Sequence, residues 1–186
     1  MQKQQVHRLD AIKVAKELTS ALEQYCDRIS VCGSLRRRKL IVSDIELVFI
    51  PKWADEKVDM FESQKVSLAD RQIERWLAEG ILIKRPSKIG TFTWGAQNKL
   101  AIHAPSRIAV DFFATDEPRW WMTKVIRTGG KNTNLALTTG AQALGRKLHA
   151  YGSGFTDKDG SMLVCESEED VFKYAGVPYR VPWERD

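Results

Sequence analysis

Asp44 and Glu46 stand two positions apart in Asp44-Ile45-Glu46-Leu47-Val48-Phe49-Ile50, a run otherwise made of apolar, β-leaning residues. Period-two alternation puts both carboxylates on one face of a strand, with Ile45 and Leu47 between them. A strand that buries Ile45, Leu47, Val48 and Ile50 while holding two adjacent negative charges calls for cations. The plain alternative is a solvated strand face. The segment just before the strand favours the first reading.

That segment is Cys32-Gly33-Ser34-Leu35-Arg36-Arg37-Arg38-Lys39. Glycine lets a backbone come close to a ligand, and amides at the start of a following helix point at anions. Ser34 adds a hydroxyl and is the expected N-cap of a short basic helix reaching Lys39. At least one arginine of the run is expected to grip phosphate as a planar fork. A solvated basic helix face is the competing reading.

A third acid, Asp111, lies in Arg107-Ile108-Ala109-Val110-Asp111-Phe112-Phe113. A carboxylate inside so apolar a strand is expensive unless paired or metal-bound. A salt bridge to Arg107 would satisfy it alone. Beside the Asp44/Glu46 strand it would complete a trio able to hold two Mg²⁺ ions, one on a triphosphate and one on an attacking hydroxyl.

The 186 residues and 43% hydrophobic content allow a substantial core in one large domain or two small ones. No run of 18 apolar residues offers a membrane span, and the start lacks the apolar centre of a secretion signal. Cys26, Cys32 and Cys165 are too few and scattered for a disulfide framework or zinc site, which suits a reducing cytoplasm. His7, His103 and His149 have no ligand-like spacing and are expected at surfaces or interfaces. The formal charge of +5 is uneven. Residues 1–115 carry 19 Lys+Arg against 14 Asp+Glu, 116–150 six against two, and 151–186 four against eight. The cationic surface therefore belongs to the first four fifths of the chain.

Apolar spacing predicts a helix over residues 7–28, including Leu9, Ile12, Ala15, Leu18 and Leu22, and a second over 55–79, including Phe61, Ile73 and Trp76. Strands are expected at 29–32, 43–50, 81–84, 91–94, 99–103 and 107–113. From Asp116 the pattern turns helical, at 117–127 and 131–150. A small hairpin about Lys158-Asp159-Gly160 and a helix over 167–175 follow. The fold class is α+β: a helix-plus-sheet domain over 1–115, then a small, mainly helical unit over 116–186.

The Gly-Ser turn, the basic run, an acid eleven positions after Gly33, a second two further on and a third in a later strand resemble the nucleotidyltransferase superfamily. Within it the likeness is to the family X (DNA polymerase beta-like) DNA polymerases. Gly33-Ser34-Leu35-Arg36-Arg37 is similar to their phosphate-binding GS-x-RR segment. Thr128-Gly129, with Asn134 five residues beyond, resembles the turn into the nucleotide-binding helix. Residues 166–172 and 176–182 resemble the closing (D/E)SE-x-D-(I/V)-F and Y-R-x-P segments.

The resemblance implies a nucleotidyltransferase palm, a mixed β-sheet with flanking helices, followed by a thumb-like, nucleotide-binding subdomain in a reduced enzyme, without the family's N-terminal lyase domain. It implies a monomeric DNA polymerase in the cytoplasm, or a host's if viral, adding deoxynucleoside triphosphates to primer-template or gapped DNA in short-gap repair. Asp44, Glu46 and Asp111 would be catalytic and hold two Mg²⁺, with Mn²⁺ able to substitute. Gly33, Ser34, Arg37, Gly129 and Asn134 would bind nucleotide. Asp111→Ala is expected to lose turnover with little loss of fold. DNA held by a basic surface should bind with steep salt dependence.

Four positions depart from the family pattern. Glu46 replaces aspartate, Ile126-Arg127 replaces a Tyr-Phe pair, and Ala109 stands where an arginine contacts the primer, with Arg107 as the candidate substitute. Trp120-Trp121 takes an aromatic-pair position best suited to buried packing. A transferase acting on RNA or a small molecule is the alternative reading.

Overall fold

The structure, a computed structural model, describes residues 4–57, 63–87 and 89–186. Strand β1 (Val6–His7) leads into helix α1 (Arg8–Leu22), whose Leu9 amide donates to the His7 ring at 3.3 Å. A 3-10 turn (Glu23–Tyr25) then gives way to β2 (Cys26–Cys32), the one-turn helix α2 (Gly33–Arg36), β3 (Ile41–Val42) and β4 (Asp44–Pro51). The hairpin β5 (Trp53–Lys57) and β6 (Ser63–Ser67) precedes α3 (Leu68–Ala78), β7 (Leu82–Lys84), β8 (Asn98–His103) and β9 (Ala109–Ala114).

Five strands form one mixed sheet in the order β2-β4-β9-β8-β7. Strands β4 and β9 are parallel, and their other neighbours antiparallel. A parallel pair needs a long crossover, which α3 and its flanking strands provide. Ile45, Leu47 and Phe49 share a core with Val110 and Phe112, packed with Leu18 of α1 and Ile73 and Trp76 of α3. On the opposite face Val48, Ile50 and Phe113 pack with Cys32 and Trp120. Strand β4 is thus buried on both sides, which explains its nearly unbroken apolar run. The second face carries Asp44 and Glu46 at its beginning and apolar residues beyond. That polarity change places the site.

The rest of the chain comprises α4 (Trp120–Thr128), α5 (Lys131–Ala143), the antiparallel sheet β10 (Lys147–Leu148), β11 (Gly154–Thr156) and β12 (Met162–Val164), and α6 (Glu168–Tyr174). Its own core contains Met122, Val125, Leu137, Ala141, Phe155 and Phe172. Ser167 caps α6 by accepting the Asp170 amide at 3.0 Å.

Several expected elements are shorter or different. The helix expected over 7–28 stops at Leu22, because residues from Cys26 onward pair with β4 instead. Leu9, counted on its apolar face, is exposed. Residues 53–57 and 63–67 form a hairpin where a helix was expected, with Asp55 facing Lys65 across the strands. Phe61 lies outside the described residues. The helix expected over 131–150 ends at Ala143, with Gly145 at φ 68° turning the chain toward β10. Residues 91–94 make only isolated bridges.

His103 is buried, not superficial: its Nδ1 lies 2.8 Å from Ser106 Oγ. The three cysteines are free and buried, and burial pushes their thiols up to about 12, 11 and 12 in chain order. Among the described residues no helix is long and apolar enough to cross a membrane.

Candidate active site

The parallel register sets Asp44 opposite Ala109 and Glu46 opposite Asp111. All three carboxylates therefore project from the same face, on adjacent strands about 4.8 Å apart. Asp111 is 5% exposed, whereas Asp44 and Glu46 are half-buried. Arg85 supplies Asp111 with a cation, its Nη2 donating to Oδ1 at 2.5 Å. Arg107, the partner in the alternative reading, is held in a turn at φ 62°, its amide donating to the His103 carbonyl.

Gly33 begins α2 immediately above this face. Its φ of +64° favours glycine, and a Cβ there would sit 2.1 Å from Glu46 Oε2. Only a bare α-carbon lets the turn approach the carboxylate so closely. Gly33→Ala is expected to cost about 1–2 kcal/mol in backbone strain and to displace Glu46 as well. A urea midpoint equal to that of the wild type would contradict this. Ser34 is not an N-cap, since it lies within α2 and the cap position falls to Cys32, without a side-chain bond.

Arg36, Arg37 and Arg38 make distinct contacts, while Arg38 and Lys39 are also exposed to solvent. Arg36 Nη1 donates to Thr128 Oγ1 at 2.7 Å, and its Nη2 pairs with Glu168. Arg38 stacks on Trp183, 4.0 Å from the ring centre. Arg37 donates to the Thr128 carbonyl. Burial lowers the Arg37 pKa, while Glu46, Asp44 and Asp186 act against that shift. Arg37 is thus the cation that faces both the acids and the second half of the chain.

The sequence-predicted residues of that half meet it there. A Cβ on Gly129 would lie 3.5 Å from Arg37 Nη1 and 3.6 Å from Asn134 Nδ2. Asn134 donates to the Ile126 carbonyl at 2.9 Å. Its Oδ1 and the Nε of Arg37 are buried without a hydrogen-bond partner among the described residues. Unmet polar atoms of this kind suit a polar ligand. At the start of α5, the Asn132 and Thr133 amides donate to the Asp186 carbonyl at 3.0 and 3.1 Å. A side chain at Gly130 would collide with Asp186, its Cβ 1.9 Å from the Asp186 carbonyl carbon.

Sequence reasoning missed Glu168 and its partners. Glu168 is 5% exposed and bonds Arg36 through Oε1 and the fully buried Arg185 through Oε2, the latter at 2.7 Å. Lys124 Nζ approaches Oε1 to 3.4 Å. Burial raises the Glu168 pKa, but Arg36 and Arg185 more than reverse this, leaving it below the ordinary glutamate value. One carboxylate therefore joins α2, α4, α6 and the C-terminal segment. Position in an otherwise acidic helix start concealed it.

The departures also find places. Arg127 lies over the Phe113 ring, 3.6 Å from its centre, and within 5.6 Å of that of Tyr151. Trp120 is buried and meets Trp121 edge-on. Among the described residues, no three His, Cys, Asp or Glu side chains stand gathered as a metal-holding set. Asp44, Glu46 and Asp111 nevertheless fit Mg²⁺ in kind, as three hard oxygen donors on one face of two neighbouring strands.

A mixed sheet with an acid-bearing strand pair beneath a glycine turn, joined by arginines to a second helical unit, defines the architecture. Residues 124–186 match the DNA polymerase beta thumb family. No curated protein matches the chain. The matched stretch contains Gly129, Asn134, Glu168 and Arg185, and so supplies one side of the Arg37 convergence.

Proposed function

We propose that the chain is a DNA polymerase of family X type, extending a DNA 3′ end with deoxynucleotides, with short-gap filling or repair as its role. In this reading residues 1–115 are a nucleotidyltransferase palm and 116–186 a thumb-like nucleotide-binding subdomain. The observation that carries it is the convergence on Arg37. This residue feels Asp44 and Glu46 on one side and touches the Thr128-Gly129 turn of the matched thumb on the other.

Asp44, Glu46 and Asp111 would hold two Mg²⁺, or Mn²⁺ in substitution. Bound there, the ions would neutralise triphosphate charge and lower the pKa of the primer hydroxyl. Gly33 and Ser34 would present the turn to phosphate, and Arg37 would bind it as a fork. Gly129 leaves the approach open, and Asn134 would offer its unpaired Oδ1 to the nucleoside. Bringing these groups together is how such a site would orient the reactants.

The test is extension of a 5′-labelled primer on gapped, recessed and single-stranded DNA, with deoxy- and ribonucleotides. Template-directed deoxynucleotide addition on gapped or recessed DNA is expected. One observation favours the second reading, a transferase acting on RNA or a small molecule. Arg127 occupies the place of an aromatic sugar-packing pair and is drawn onto Phe113. Ribonucleotide addition without template, or none to DNA, would select that reading.

A further inference from the structure

Glu46, Asp111 and Leu100 are successive register partners across β4, β9 and β8. The Arg85 amide donates to the Leu100 carbonyl at 2.9 Å, which adds Arg85 to the same row beyond β7. Its side chain reaches past Leu100 to Asp111. The guanidinium is anchored at its other branch, Nη1 donating to the Pro86 carbonyl at 3.3 Å. Arg85 and Asp111 are each 5% exposed. Ala109, the next residue on that face of β9, contributes only a methyl group. This arginine follows β7 rather than lying on the strand of Asp111, and no motif marks it.

We propose that Arg85 is a positioning residue for Asp111 and the resident counter-cation with which an incoming divalent ion competes. The proposal rests on the metal reading of the three acids. A buried carboxylate needs a positive neighbour, and Arg85 is in direct contact with this one. Its Nη2 holds Oδ1 while Nη1 is fixed on the Pro86 carbonyl, so the carboxylate's orientation is set from outside the ligand trio, as outer partners orient ligands in metal sites. The same charge, in contact with a ligand oxygen, opposes the approach of a divalent cation. Orientation and weakened affinity therefore come from one residue and can be separated.

The experiment is Mn²⁺ binding to the nucleotide-free full chain, read from the electron paramagnetic resonance signal of free Mn²⁺, with Asp111→Asn marking the site. Arg85→Gln removes the charge and is expected to tighten Mn²⁺ binding about tenfold, while primer extension slows. Arg85→Lys keeps a charge on a shorter stem that cannot fork, and an intermediate tightening of about threefold is expected. A merely structural role would weaken binding and turnover together in both variants. Unchanged or weaker affinity in Arg85→Gln overturns the proposal. If that variant fails to fold, the same result in Arg85→Lys does so. A wild-type chain binding no Mn²⁺ at these acids overturns the metal reading too, so the two failures are distinct.

Discussion

Asp111→Asn should slow single-turnover primer extension by about 10³-fold or more, because losing one anionic ligand removes several kcal/mol of transition-state stabilisation. Asparagine keeps an oxygen to accept from Arg85 but no charge, so the melting temperature should fall, by less than in the alanine variant. Asp111→Ala should behave differently. It strands a guanidinium that is 5% exposed, and an unpaired buried charge costs about 3–5 kcal/mol. The expectation from sequence for Asp111→Ala was lost turnover with little lost fold; the buried Arg85 partner changes that expectation to a loss of both. Circular dichroism melts beside extension assays separate the two. An asparagine variant extending primers at the wild-type rate would remove Asp111 from the chemistry.

Glu168→Ala should be the most damaging change outside the acid face. It uncouples Arg185, which is completely buried, and Arg36, which ties α2 to α4. A loss of about 3–5 kcal/mol is expected in urea unfolding. The pH dependence has a definite sign. Glu168 is held below its ordinary value of 4.5, so its contribution is complete above that pH and disappears as the pH falls through the lower folded value. Glu168→Gln should flatten this part of the acid limb. An acid limb identical to that of the wild type would show that the carboxylate is not held by its arginines.

The parts of the site visible in the sequence were those fixed by local geometry. Alternation fixed the face of Asp44 and Glu46, and the Gly33 turn announced a close backbone approach. Glu46 Oε2 standing 2.1 Å from a Gly33 Cβ position gives that glycine its physical reason. Partnerships across the chain were not visible. Arg85 meets Asp111 from 26 positions away, and Arg36 meets Glu168 across 132. Neither spacing leaves a local signature. Arg107 was the one partner the sequence offered, being near Asp111 along the chain, and its φ of 62° places it in a turn.

The same distinction explains the fold. Helices with a clear apolar face were found, while the paired strands at 53–57 and 63–67 were largely hidden inside an apparently helical stretch. Cross-strand pairing, such as Asp55 with Lys65, overrode local spacing there. Residues 26–28 likewise left the expected helix because β4 offered them partners. Ser34 looked like a cap from composition, but α2 starts one residue earlier, at the glycine.

One measurement addresses the central idea most directly: anomalous scattering from Mn²⁺ in crystals of the chain with gapped DNA and a non-hydrolysable deoxynucleotide. Two Mn²⁺ peaks bridged by the carboxylates of Asp44, Glu46 and Asp111 are predicted, with the triphosphate against Arg37. A bound nucleotide with no metal between those three side chains would contradict it.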